Sequence, residues 1–93
     1  MKVIIRETAA TDLERIHSWI SKDSPNSARS VVERILAAIE DKIPSFPDIG
    51  RKGKVEGTRE WIVRGLPYII VYRVDHVLRA VTILSIFHGA QDR

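Results

Sequence analysis

A chain of 93 residues, 44% hydrophobic and 29% charged, has the composition of one ordinary globular domain, large enough to bury about two-thirds of its unfolded surface without staples and too apolar for disorder. The absence of cysteine excludes a disulfide framework or a thiolate zinc site and suits the cytoplasm. The net charge of +3 is uneven: residues 1–50 carry seven Lys and Arg against eight Asp and Glu (net −1), residues 51–93 eight against four (net +4), which directs an acidic partner, nucleic acid or polypeptide, to the second half.

The chain opens Met1-Lys2-Val3-Ile4-Ile5-Arg6-Glu7, with charges beside an apolar run too short for a signal peptide or a membrane span. Lys2 to Arg6 alternates about a β-branched centre and reads as a short strand in the sheet. Thr8 or Thr11 can then cap a helix, the second giving the capping-box pattern Thr11-x-x-Glu14. Ala9, Leu13, Ile16 and Ile20 recur at spacings of three and four, so one face packs inward, with Trp19 at its border. This helix stops near Ser21-Lys22-Asp23.

Ser24-Pro25 starts a second helix, because Ser supplies a capping oxygen and Pro at the first helical position loses no useful donor. Its stripe is Ala28, Val31, Val32, Ile35, Leu36, Ile39 and Ile43, wider than that of the first. Two helices joined by so short a link lie antiparallel, and their stripes need a sheet to cover. Pro44 is expected to end the second helix, Phe46 and Ile49 to tuck under the helices, and Arg51-Lys52-Gly53-Lys54 to form a basic, flexible loop.

Gly57 to Val74 reads as a β-hairpin turning at Gly65-Leu66-Pro67. Trp61 and Val63 share one face of its first strand, and Glu60, Ile62 and Arg64 the other. Tyr68, Ile70, Tyr72 and Val74 oppose Ile69, Val71 and Arg73 on the second, whose near-continuous apolar run makes it central. A further strand, Ala80 to Phe87, leads into His88-Gly89-Ala90-Gln91-Asp92-Arg93. The order is that of an α+β fold, a two-layer βααβββ arrangement with the N-terminal strand and helical hairpin on a mainly antiparallel twisted sheet, in a single domain over 1–93.

His17, His76 and His88 are scattered and have no thiolate company, so no metal site is expected. No glycine-rich loop opens a helix, so no nucleotide and no other cofactor is called for. Catalysis, if there is any, is acid–base chemistry by His88 with arginine support from Arg59, Arg64 or Arg73, as cleavage of RNA by its own ribose hydroxyl requires. His88 fits equally a structural role, its ring bonded to Asp92 or to backbone where the chain leaves the sheet. Arg51, Lys52 and Lys54 suit phosphate or an acidic chain, and suit a solvated loop as well.

Asp12-Leu13, Pro47-Asp48-Ile49-Gly50-Arg51, Gly57-Thr58-Arg59-Glu60, Pro67 to Val74 and Ile86 to Asp92, in that order and spacing, resemble the RelE/ParE superfamily of bacterial toxins over nearly the whole chain. The resemblance implies the toxin half of a type II toxin–antitoxin pair, also called a plasmid stabilisation system. Its partner is then a small antitoxin whose C-terminal segment wraps the toxin, in a hetero-oligomer. RelE-like members cut mRNA on the ribosome, whereas ParE-like members inhibit DNA gyrase and are not known as nucleases.

The sequence departs from the nuclease pattern. Ile69 follows Tyr68 where many RelE-like chains carry Arg, Ile62 stands where a basic residue is expected, and the chain stops too early for a tyrosine-bearing tail. The ParE-like branch is therefore favoured, with a ribosome-dependent mRNA endonuclease using His88, Arg64 and Arg73 as the alternative, and a non-toxic binding module as a third. Candidates for binding target or antitoxin are Arg51, Lys52, Lys54, Arg59, Trp61, Tyr68 and Tyr72.

Overall fold

Residues 1–90 are described by a computed structural model of the chain. The β-branched run at the N-terminus forms β1 (Lys2–Ile5), followed by α1 (Glu7–Ser21) and α2 (Pro25–Ala37). The α1 stripe is as its spacing requires: Ala9 and Ile16 are buried, while Leu13 and Ile20 pack against the core from its margin. Trp19 is exposed and has Lys22 Nζ 5.2 Å from its ring centroid. The N-cap of α1 lies two residues ahead of Thr8 and five ahead of Thr11, the expected caps. Arg6 holds the N-cap position without a side-chain cap, and Thr8 and Thr11 lie within the helix.

Helix α2 starts as its sequence dictates, the Ser24 Oγ accepting the Ser27 N–H at 3.2 Å ahead of Pro25. Its apolar stripe runs past the end of α2 to Ile43, and the helical run ends at Ser45, one residue beyond the expected stop at Pro44. A π-helical turn (Ala38–Lys42) and a short α3 (Ile43–Ser45) carry it on, keeping Ile39 and Ile43 fully buried. Pro44 has no N–H for the carbonyl of residue 40, and its ring would press on that carbonyl in an α-helix; the wider turn relieves both. Phe46, expected under the helices, is instead exposed, with Lys42 Nζ 5.3 Å from its ring centroid, whereas Ile49 is half-buried.

The expected basic loop begins as a strand. Arg51 and Lys52 form β2, which pairs antiparallel with β3 (Arg59–Ile62), Arg51 opposite Glu60 and Lys52 opposite Arg59. Then come β4 (Tyr68–Asp75) and β5 (Ala80–His88), giving five strands in the order β1-β5-β4-β3-β2. All pairs are antiparallel except β1 with β5. The expected two-layer α+β arrangement holds, with one short edge strand more. Two residues are too few for an alternating pattern to register.

One sheet face is covered by α1, α2 and the π turn, and there Tyr68, Ile70 and Tyr72 of β4 and Val81, Ile83 and Ile86 of β5 form the core with Ile35, Ile39 and Ile43. A β-bulge in β5 shapes this layer: Val71 pairs with Ser85 and Tyr72 with Ile83, leaving Leu84 unmatched. A bulge releases backbone groups from the ladder. Helix α1 takes them up, the Thr8 hydroxyl donating to Leu84 O at 2.6 Å and the Asp12 Oδ2 accepting the Ile86 N–H at 2.8 Å. No helix among the described residues is long and apolar enough to cross a membrane.

Candidate functional site

The basic second half divides between the two faces of the sheet, because alternation along paired strands sends neighbours to opposite sides. Arg51 and Glu60, facing each other across β2 and β3, lie on the face away from the helices, and so does Arg73 on β4. The Glu60 carboxylate is only 5% exposed and sits 3.2 Å from Arg51 Nη2, with the Lys54 N–H at 3.4 Å from its other oxygen. Arg51 is thus partly spent on a buried carboxylate, while Lys52 and Lys54 stand exposed beside it. On the same face Ile62 pairs with Ile69, and Ile69 with Phe87, an apolar surface with no arginine at residue 69.

Arg59 shares the other face with Tyr72, and its guanidinium is committed to structure. It donates to Gly50 O at 2.7 Å and to Asp48 O at 3.2 Å, and lies 3.5 Å from the Asp48 carboxylate. His76 Nε2 is 3.6 Å from that same carboxylate oxygen. Tyr72, fully buried, completes the clamp: its hydroxyl donates to Pro47 O at 2.7 Å and accepts the Gly50 N–H at 2.9 Å. Burial raises the Tyr72 phenol above its ordinary value, against the lowering effects of the Gly50 bond and the Arg59 charge. These groups fix the loop between α3 and β2 to the central strand.

The third group lies at the opposite end of the sheet. His88 pairs with Tyr68, their rings meeting edge to face at 5.5 Å between centroids. The His88 Nδ1 accepts the Ala90 N–H at 3.0 Å, which makes that nitrogen an acceptor and places the ring proton on Nε2 when the imidazole is neutral. Asp92, the expected alternative partner, falls outside the described residues. Both rings border a cavity of about 440 Å³ whose other walls include Arg15, Trp19 and Phe87.

The residues set apart for catalysis are therefore not one constellation. Arg73 is opposite Thr82 while His88 is opposite Tyr68, five residues along β4, or about 17 Å at the usual strand rise. Arg64 lies in the β3–β4 turn at the His88 end, on the far side of β4. Of the binding candidates, Tyr68 and Tyr72 belong to the core and Trp61 is half-buried at its edge; Arg51, Lys52 and Lys54 are at the surface. Sequence reasoning passed over Arg34, whose Nη2 donates to Arg64 O across the helix and sheet layers, since a charged residue between stripe positions gives no sign of such a reach. It also passed over the structural use of Asp12, although that residue carried the resemblance. Among the described residues no group of three or more His, Asp or Glu is placed to hold a metal.

Comparison with known proteins agrees with this architecture. A family model described as the ParE toxin of the type II toxin–antitoxin system, parDE, matches residues 3–93. The protein Y4kP of Sinorhizobium fredii (strain NBRC 101917 / NGR234) is 40% identical over 79 residues, which are 85% of this chain and 78% of the relative. Among solved structures, the chromosomal ParDE system of P. aeruginosa superposes with a TM-score of 0.75 at 22% identity, over 95% of both chains. The RelBE2 toxin–antitoxin complex of Mycobacterium tuberculosis gives 0.68 at 23% identity, over 94% of this chain and 95% of the other. The intact E. coli RelBE complex gives 0.62 at 14% identity, over 99% and 98%. At these identities the structural likenesses speak for the fold.

Proposed function

We propose that this chain, which belongs to the ParE toxin family of type II toxin–antitoxin systems, arrests growth in the cytoplasm by binding DNA gyrase and stalling its cleaved-DNA complex, until a cognate antitoxin neutralises it. The observation that carries the reading is the wide separation of Arg73 from His88 along β4. In-line cleavage of RNA concentrates negative charge at one phosphorus, and a donor contributes several kcal/mol only when it is already aimed at that charge. Arg73 is too far from His88 to serve the same phosphate, Arg59 is bound into loop carbonyls, and Ile69 offers no charge in between.

A surface that binds without reacting needs no such convergence. Arg51 and Arg73 on the face away from the helices, with Lys52 and Lys54 exposed at and beside the β2 edge, suit an acidic protein or nucleoprotein target. The test is a supercoiling assay with purified gyrase: the protein is expected to inhibit supercoiling and accumulate cleaved DNA, and supercoiling untouched over a wide concentration range would overturn the reading. A ribosome-dependent ribonuclease draws on a different observation, the Tyr68–His88 ring pair beside Arg15 in one cavity. Toeprinting on translating ribosomes separates the two, since A-site cuts that vanish in His88→Ala would belong to the nuclease alone. Unaffected growth on induction without antitoxin would leave the fold as a binding module.

A further inference from the structure

At one end of the sheet two turns lie side by side. The β4–β5 turn carries Val77, 92% exposed, and Leu78, 73% exposed, and the connection from β2 to β3 carries Val55, 56% exposed. The topology brings them together: β3 runs antiparallel to β4, so the start of one meets the end of the other, and Val55 and His76 line one cavity of about 460 Å³. Exposed cations stand around these aliphatic tips. Lys2 and Arg79 meet where β1 starts, the Lys2 N–H donating to Arg79 O at 2.9 Å. Lys52 and Lys54 lead into the β2–β3 connection, and Arg73 reaches it, its Nη1 3.6 Å from the place a Cβ on Gly57 would take. Against them stand the carboxylates of Glu56 and Asp75, while Asp48 is met by Arg59 and Glu60 is buried against Arg51.

Both turns are fixed by their own hydrogen bonds. The Leu78 N–H donates to Asp75 Oδ1 at 2.9 Å, and Arg79 holds a left-handed φ of +53, a conformation that costs a non-glycine residue about 1–2 kcal/mol. At the other turn the Thr58 hydroxyl and N–H both donate to Val55 O, at 2.5 and 3.1 Å. The aliphatic side chains are thus held in solvent rather than folded back on the sheet. A turn that only joined two strands would gain nothing from consecutive Val and Leu side chains in water, and polar turn residues would serve it better.

We propose that this end of the sheet docks on an anionic lipid surface, with Val77, Leu78 and Val55 entering the boundary between headgroups and acyl chains and the surrounding cations lying among the headgroups. The choice of partner follows from charge complementarity and shape. Apolar area that enters the interface and cations that meet anionic headgroups add their contributions, and a fluid surface moulds itself to separate tips. Nucleic acid would answer the cations, but aliphatic side chains offer no ring for a base to stack on. Three side chains on two turns present far less than the about 800 Å² per partner that a stable protein interface covers. The proposal stands apart from the choice of target above.

The test is co-sedimentation of the full chain with vesicles, made either of phosphatidylcholine alone or of phosphatidylcholine and phosphatidylglycerol in equal parts. Binding is expected to the mixed vesicles only, and to weaken as salt is raised. Val77→Ser combined with Leu78→Ser should lower the partition coefficient at least tenfold, and Lys2→Gln combined with Arg79→Asn about fivefold for each charge removed. Trp19→Ser, which removes an exposed apolar side chain from α1, should leave it unchanged. Because the chain has no cysteine, Val77→Cys accepts a single nitrobenzoxadiazole label, whose emission should brighten and shift to the blue on the mixed vesicles. No binding of the full chain to the mixed vesicles overturns the proposal. So does binding that the serine pair leaves intact while the label emission stays unmoved, since the tips then do not enter the lipid. Binding of a DNA or RNA oligonucleotide that the serine pair weakens, with the vesicles unbound, assigns the tips to nucleic acid and overturns it as well.

Discussion

The Tyr72 hydroxyl accepts the Gly50 N–H at 2.9 Å, and a methyl group on residue 50 would lie 2.7 Å from that same oxygen. The central strand and the loop ahead of β2 therefore meet with no slack between them. Only a residue without a side chain lets the backbone come this close.

Tyr72→Phe should then cost about 1–3 kcal/mol in a denaturant titration, since it leaves the buried Gly50 N–H without an acceptor. The same hydroxyl sets a pH dependence. The folded phenol titrates above its unfolded value of 10.0, chiefly through burial, so its contribution is complete below pH 10 and is lost as pH rises from there through the folded value. The phenylalanine variant should lack this alkaline loss, and identical pH profiles for the two proteins would contradict the assignment.

Ile35 and Leu36 are neighbours with different burial. Ile35 is fully buried, whereas Leu36 is half-buried. Ile35→Ala is expected to cost about 2–5 kcal/mol, as for other deletions in a packed core. Leu36→Ala should cost distinctly less, and equal shifts in thermal midpoint would mean that the helix is rotated from the orientation described.

Asp12→Ala should cost about 1–3 kcal/mol, because the Ile86 N–H next to the β5 bulge loses the acceptor that α1 supplies. Asp12→Asn keeps an oxygen in place and should lose less. Hydrogen exchange at Ile86 is the direct measurement, expected to quicken in the alanine variant and to stay close to native in the asparagine one.

Gly65 has φ +76 in the β3–β4 turn and lies against the Arg34 guanidinium. Gly65→Ala should destabilise by about 1–2 kcal/mol from the left-handed backbone alone.

His88→Ala separates binding from chemistry. It removes an edge-to-face contact with Tyr68, a loss of about 0.5–1.5 kcal/mol, and leaves the surface cations untouched. Growth arrest on induction is expected to persist. A soluble, folded variant that no longer arrests growth would instead favour the nuclease.

The elements that depend on a repeated local pattern were legible in the sequence. Ser24-Pro25 announced α2, the stripe from Ala28 to Ile43 announced what it covers, and alternation from Tyr68 to Val74 gave the correct partition of faces. What the sequence hid depends on the third dimension. Arg51 and Lys52 form a strand only because β3 offers them a partner, and the irregular π turn ahead of Pro44 is tolerated because it keeps Ile39 and Ile43 buried. Arg59 reads as a free cation until the loop at Asp48 and Gly50 is folded against it. Phe46 reads as a core residue by its chemistry alone, yet its ring lies at the surface with Lys42 beside it.

The parallel pairing of β1 with β5, Lys2 opposite Ala80, also governs the order in which this molecule can be assembled during its synthesis. The first strand made has to wait for the last, and α1 and α2 leave the ribosome long before β4 and β5 exist to cover their apolar stripes. Closing so long a loop is slow compared with forming the helices. Each nascent chain therefore passes through a stage in which the residues of the helical hairpin have been synthesised and those of its sheet have not, a stage exposed to chaperones and proteases and without the binding surfaces of the finished molecule.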